Sequence, residues 1–225
     1  MSKILIPATS PEDWKQFLAE PEKQWKTGYS ARSLAYCWQE AGGIPPEIIS
    51  VLGQVPSLKG LKTIFAIPEH KVSLPGGVRA SQNDVWVLGE SPSGLVSIAV
   101  EGKVSEPFGP TVGEWFENKT AGKEKRLKFL CDEIGFDYPP PFKVRYQLLH
   151  RTVSAILEAK HFRANEAVMV VHTFSKTNKW LEDYQFFLAL FDLKAGINQA
   201  VTIKIANEIN LSFAWVQGEE HYLNK

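Results

Sequence analysis

The segment Ala167-Val-Met-Val-Val-His-Thr173 constrains the fold more than any other part of the chain. A near-unbroken apolar run of this length reads as a strand covered on both faces, the pattern of a parallel or mixed sheet rather than of a solvated hairpin. A long helix over about 143–160, with Val144, Leu148, Val153, Ile156 and Leu157 forming its apolar face, directly precedes it. Helix followed by buried strand is the signature of a crossover between parallel strands. The predicted class is therefore α/β, a mixed β-sheet flanked by helices.

The remaining elements fit that frame. Ala31-Arg-Ser-Leu-Ala-Tyr-Cys-Trp-Gln-Glu-Ala41 places Leu34, Trp38 and Ala41 at helical spacing, with Ser30 as the expected N-cap and Gly42-Gly43 as the stop. A second helix is expected from Pro45-Pro46 to Gly53, and a strand over 62–67 bounded by Pro68. Residues 84–89 and 95–104 read as a hairpin around the turn-rich 90–94, followed by a charged helix over about 123–134 and a break at Pro139-Pro140-Pro141. A helix near 178–192 and strands near 200–206 and 209–217 complete the pattern. With 225 residues, no internal repeat and no long linker, the chain is expected to form a single domain over 1–225.

Composition narrows the function classes. Two cysteines, Cys37 and Cys131, lie far apart with no partner at metal-ligand spacing, and read as free thiols. There is no membrane-length apolar run, and the opening Met-Ser-Lys-Ile-Leu-Ile-Pro lacks the core of a signal peptide, so a cytoplasmic protein without a membrane partner is expected. The net charge is zero, yet residues 119–163 hold ten lysines and arginines against five carboxylates. Solvated helix faces and a phosphate-facing surface both account for such a run. No P-loop, dinucleotide fingerprint, nucleophile elbow or H-E-x-x-H helix is present, and the five histidines are scattered. His172, ending the buried strand, reads as a hydrogen-bonded core residue rather than a ligand.

One constellation carries chemistry. In an antiparallel hairpin, partner residue numbers add to a constant, and a turn centred between Pro92 and Ser93 makes that constant 185, setting Asp84 opposite Glu101. Side chains alternate, so Glu101 and Lys103 share a face. Facing carboxylates repel; a divalent Mg²⁺ or Mn²⁺ held by both, with Lys103 alongside to offset charge and orient a water, would give the arrangement a reason. A solvated face with a surface salt bridge is the other reading of the same spacing.

The residues Arg79-Ala-Ser-Gln-Asn-Asp84, the hairpin, and Val100-Glu-Gly-Lys-Val104 resemble the D-X(n)-E-X-K core of the PD-(D/E)XK nuclease superfamily, the restriction-endonuclease-like fold. The resemblance covers about 79–173 and departs from the family pattern in having Asn83 where the name has Pro. Tyr146-Gln147-Leu-Leu-His-Arg151 is similar to the Q-x-x-x-Y helix of some branches, with Arg151 where Tyr would stand. The resemblance implies a metal-dependent phosphodiesterase on nucleic acid, DNA ahead of RNA. It further implies a metal held by Asp84, Glu101 and the Gly102 carbonyl, with Lys103 and Gln147 completing the catalytic set. Lys143, Arg145 and Arg151 are expected to meet backbone phosphates, Arg151 reading as a surface or phosphate-binding residue rather than a catalytic one, and Glu40 on the first helix is the candidate for a further acidic ligand. Two alternatives stay open: a non-catalytic binding or regulatory protein on the same fold, and an enzyme acting on a smaller phosphorylated substrate.

Overall fold

A computed structural model describes residue 4, residues 8–205 and residues 208–225. After a 3₁₀ segment (Pro11–Phe17) come α1 (Pro21–Gln24), α2 (Ser30–Ala41) and α3 (Pro46–Leu52). Three strands follow, β1 (Lys62–Val72), β2 (Ser81–Ser91) and β3 (Gly94–Lys103), then α4 (Val112–Phe116), α5 (Ala121–Ile134) and α6 (Tyr146–Phe162). The chain continues with β4 (Glu166–Thr173), α7 (Leu181–Ala189), β5 (Gln199–Lys204) and β6 (Asn210–Gln217). The six strands form one sheet in the order β1-β2-β3-β4-β6-β5. β1, β2 and β3 are antiparallel neighbours, β3, β4 and β6 run parallel, and β5 closes the far edge antiparallel. No helix among the described residues is long and apolar enough to cross a membrane.

The alternation of side chains along the central strands builds two cores. Ile98, Val100, Val168 and Val170 face α2 and α3, whereas Ala99, Met169 and Val171 face the layer of α5, α6 and α7. All are essentially inaccessible, and each aliphatic side chain so covered contributes roughly 1.5–3 kcal/mol. This two-sided burial is what the apolar run at 167–173 requires. The crossover is as expected: α6 leads into β4, which lies parallel to β3.

Several boundaries differ from the sequence reading. β1 does not stop at Pro68 but runs on to Val72; it is an edge strand, where the missing N–H of proline costs no ladder bond. β2 starts at Ser81, so Asp84 lies within a strand rather than at its beginning. The hairpin turn is tight, with Ser91 paired to Gly94, and β3 spans 94–103. Ser30 is the first helical residue of α2 and Tyr29 the cap position, because the Glu106 carboxylate accepts the Ser30 N–H at 3.0 Å and takes over the capping role. α5 begins earlier, at Ala121, capped by the Thr120 hydroxyl. α6 begins later, at Tyr146, because residue 145 bridges to Thr111 and the Tyr146 N–H bonds to the Pro110 carbonyl. α7 is shorter than 178–192, and β5 ends at Lys204; residue 206 of the expected strand lies outside the described residues.

The loop between β1 and β2 is fastened to α5. Arg126, 8% exposed, donates to the carbonyls of Leu74, Pro75 and Gly77 at 2.8–3.2 Å. Gly76, at φ +80°, approaches the first turn of α5 so closely that a Cβ on Gly122 would lie 2.5 Å from the Gly76 carbonyl oxygen. Helix propensity alone predicts that Gly122→Ala stabilises by up to about 1 kcal/mol. The clash outweighs it, and the variant is expected to lose about 1–3 kcal/mol. Urea unfolding decides the sign: a higher midpoint would show that this loop yields freely.

Candidate functional site

At the carboxyl end of β3 the odd-numbered face passes from Ala99 to Glu101 and Lys103, and the apolar lining gives way to charge. The pair Val85 with Val100 sets Asp84 across from Glu101, the register derived from the turn. On the other side, Pro68 pairs with Val85 and His70 with Asn83, which sets Glu69 across from Asp84. Three carboxylates thus occupy one row across three adjacent strands. Glu69 itself has φ +53°, a left-handed conformation rare for a residue with a side chain.

The row is held by two buried cations. Lys103 donates to Glu101 Oε1 at 2.5 Å, and Arg151, from α6, donates through Nε to Glu101 Oε2 at 2.6 Å. Glu101 is 2% exposed, Lys103 3% and Arg151 6%. Arg151 also reaches Asp84, with Nη2 3.7 Å from Oδ1. Asp84 Oδ2 accepts the Gly102 N–H at 2.8 Å, and Glu69 Oε2 accepts from Gln82 Nε2 at 2.6 Å. Gln147 stands one helical turn before Arg151, and its side-chain oxygen accepts from Lys103 at 3.3 Å. Behind Arg151, Nη1 donates to Ser81 Oγ at 3.3 Å, and Ser81 is 2.7 Å from His150 Nδ1.

Electrostatics divides the three acids. Glu101 is buried, which opposes ionisation, but Arg151 and then Lys103 outweigh burial and hold its carboxyl below the usual range. Asp84 is pushed up to about 7, by burial first and by the Glu101 charge second. Burial and then the Asp84 charge push Glu69 well above the ordinary carboxyl range. Burial, reinforced by the Arg151 charge, also holds His150 well below the usual imidazole range. Perturbed acids in a cavity are a mark of functional sites. The cavity here is about 500 Å³, and Glu69, Asp84, Glu101, Lys103, Gln147 and Arg151 all line it. Its opposite wall comes from α1 and the start of α2, including Lys23, Gln24 and Ser30.

The structure thus brings together Asp84, Glu101, Gly102, Lys103 and Gln147, adds Arg151 to them, and sets Lys143, Arg145 and Glu40 apart from the row. Arg151 is not a surface residue; its guanidinium is enclosed between Glu101, Asp84 and Ser81. Lys143 is exposed and does not line the cavity. Arg145 is tied to Asp183 at 2.9 Å and to the Gly109 carbonyl, away from the acids. Glu40 is exposed at the far end of α2, beside Tyr222 rather than beside the row. The acid that does join is Glu69, hidden from the sequence reading by ending β1 at Pro68. The Arg151 support from Ser81 and His150 carries no sequence signal of its own.

A second group of potential ligands lies on the opposite face, where Cys37, Glu47 and His172 bring their donor atoms within 4.8 Å of one another. The indole N–H of Trp38 can only donate, so His172 Nδ1 accepts it at 3.2 Å, leaving the ring proton on Nε2 to donate to Glu47 Oε1 at 3.2 Å. Burial, then the Glu47 charge, raises the Cys37 thiol, which donates weakly to the same oxygen at 3.5 Å. The trio is a hydrogen-bonded core cluster, one ligand short of a structural zinc site. Cys37 and Cys131 are both free and buried.

Two outcomes test this description. Glu101→Gln leaves buried Lys103 without its ion-pair partner and Arg151 with only the longer contact to Asp84, and is expected to cost about 3–5 kcal/mol, read by urea unfolding; a near-neutral effect would mean that both cations reach water. For Asp84, the folded value near 7 lies above the ordinary 3.8. Between these values the folded state binds more protons than the unfolded chain, so stability falls as pH rises through that window. Asp84→Asn removes the effect, and its melting temperature relative to the unmodified chain is expected to be higher at pH 8 than at pH 4. A difference that does not change with pH would contradict the shift.

Comparison with known proteins places these residues in a family without assigning them a role. No curated protein and no solved structure matches the chain. A family model does, over residues 7–220, and the chain belongs to that family, described as a domain of unknown function (DUF6946).

Proposed function

We propose that the protein is a metal-dependent phosphodiesterase acting on nucleic acid, built on a restriction-endonuclease-like core and using Mg²⁺ or Mn²⁺. The observation that carries the reading is the convergence of Asp84 from β2, Glu101 and Lys103 from β3, and Gln147 from α6 on one cavity. It is supported by the element order: helices α1 to α3, three antiparallel strands, then α4 to α6, the last of which leads to a strand parallel to β3. The donor chemistry fits a hard cation, since the charged ligand groups lining the cavity are carboxylates, with no thiol or imidazole among them.

Asp84, with a neighbouring carboxylate of the row and the Gly102 carbonyl, would hold the ion. When bound, such an ion supplies Lewis-acid polarisation of a phosphoryl oxygen and a more acidic water. Lys103, fixed by Glu101 and Gln147, donates toward the attacking water and the charge that builds on phosphorus. The water oxygen would bond to phosphorus as the ester oxygen departs; the water gives up one proton to solvent and the departing oxygen takes one from solvent, so the step balances. Arg151 balances the row and keeps Glu101 from turning away.

A binding role without cleavage is the second reading, and one observation favours it: both oxygens of Glu101 are already held by internal cations. Lys103→Ala separates the two. For an enzyme, Mg²⁺- or Mn²⁺-dependent cleavage of DNA or RNA is expected to fall a hundredfold or more, about 2.7 kcal/mol of transition-state stabilisation, with nucleic-acid binding little changed. Nucleic-acid binding by the unmodified chain with no cleavage in either metal would give first place to the binding role.

A further inference from the structure

We infer that the divalent cation of this cleft is held by Glu69 together with Asp84, and that Glu101 serves instead as the anchor of Lys103 and Arg151. The inference rests on the metal-dependent reading above and changes which acids do the work. Its ground is which carboxylate oxygens are already held by a buried cation. Glu101 has both oxygens engaged at 2.5 and 2.6 Å by cations that are themselves buried. An ion entering between Asp84 and Glu101 would first have to displace Arg151, which bridges those two residues.

The Glu69 side of Asp84 is different. Gly102 fixes Asp84 Oδ2, which leaves Oδ1 with only the long 3.7 Å contact to Arg151. Gln82 fixes Glu69 Oε2, and Oε1 has no hydrogen bond among the described residues. Each carboxylate is therefore oriented through one oxygen and open through the other, the arrangement that ligating carboxylates need. The two residues stand across from one another in the register of β1 and β2, and both line the cavity. With all three acids deprotonated, as ligation of a cation requires, Lys103 and Arg151 offset two of them and one negative charge is left over. A divalent ion would turn that into a single positive charge, which a phosphodiester anion brings to neutrality. Hard cations of this kind bind through one or two carboxylates, with water and substrate phosphate filling the remaining positions.

The test uses Mn²⁺ alone, without nucleic acid, titrated into the full chain and followed by electron paramagnetic resonance, with a thermal melt of each variant to verify folding. Glu69→Gln keeps an acceptor for Gln82 and relieves repulsion, so it is expected to fold. Both Glu69→Gln and Asp84→Asn are expected to weaken Mn²⁺ binding at least tenfold. If Asp84→Asn loses binding while Glu69→Gln stays within about threefold of the unmodified chain, the ion sits on the Glu101 side; this inference then falls and the metal-dependent reading stands. Binding that survives in both variants overturns the inference as well. A folded, unmodified chain that takes up no Mn²⁺ at about 10 mM, beyond the weakest range of such sites, overturns the metal-dependent reading itself.

Discussion

The interaction on which the rest of the site depends is the double ion pair at Glu101. A lysine from its own strand and an arginine from α6 meet one carboxylate under nearly complete burial. Desolvating three charges is costly, and a hydrophobic trio of similar volume would serve the core at least as well. The arrangement is instead specific. It binds α6 to the carboxyl end of β3 at a fixed rotation, and that rotation brings Gln147 to Lys103 and Arg151 to Asp84. The rest of α6 is held by apolar packing of Leu149, Val153 and Ile156, which supplies the stability that the charged end does not.

The same pair explains why the acids differ. Had the two cations been shared evenly, all three carboxyls would ionise alike. Because Glu101 takes both, it is held ionised while Asp84 and Glu69 face burial and each other's charge with one distant guanidinium between them. Asymmetry of this kind is how one cavity keeps a committed anion next to groups poised to gain or lose a proton.

Much of this was legible in the residues. The run at 167–173 called for a sheet covered on both sides, and the turn at Pro92-Ser93 set a register in which Asp84 faces Glu101; both are local patterns with a fixed period. Gln147 at the start of a periodic helix was legible for the same reason. The expectations that failed depended on long-range context. Pro68 ends most strands, and only the knowledge that β1 is an edge shows that this one continues to Glu69. Arg151 carries a charge, and charge predicts exposure unless a partner for it is known; its partner lies fifty residues away on another element. Lys143 and Arg145 are near Arg151 in sequence, yet the helix begins after them, neither lines the cavity, and Arg145 pairs with Asp183.

Part of the charge excess over 119–163 is likewise explained once the fold is known. Arg126 is consumed by three backbone carbonyls, Arg145 by Asp183, Arg151 by Glu101, and Lys160 by Glu133. Lys119 pairs with Glu124 and Lys123 with the Trp115 carbonyl, while Lys125, Lys128, Lys143 and Arg163 are exposed, so what looks in sequence like one basic stripe is in part internal fastening and in part solvated surface. Among the described residues, the cations that line the cleft are Lys103, Arg151 and, on the opposite wall, Lys23. Under the proposed function, affinity for a polyanion would come from the cavity, chiefly from a cation bound on the acids, with Lys103 acting on the charge that develops in the reaction rather than on ground-state binding.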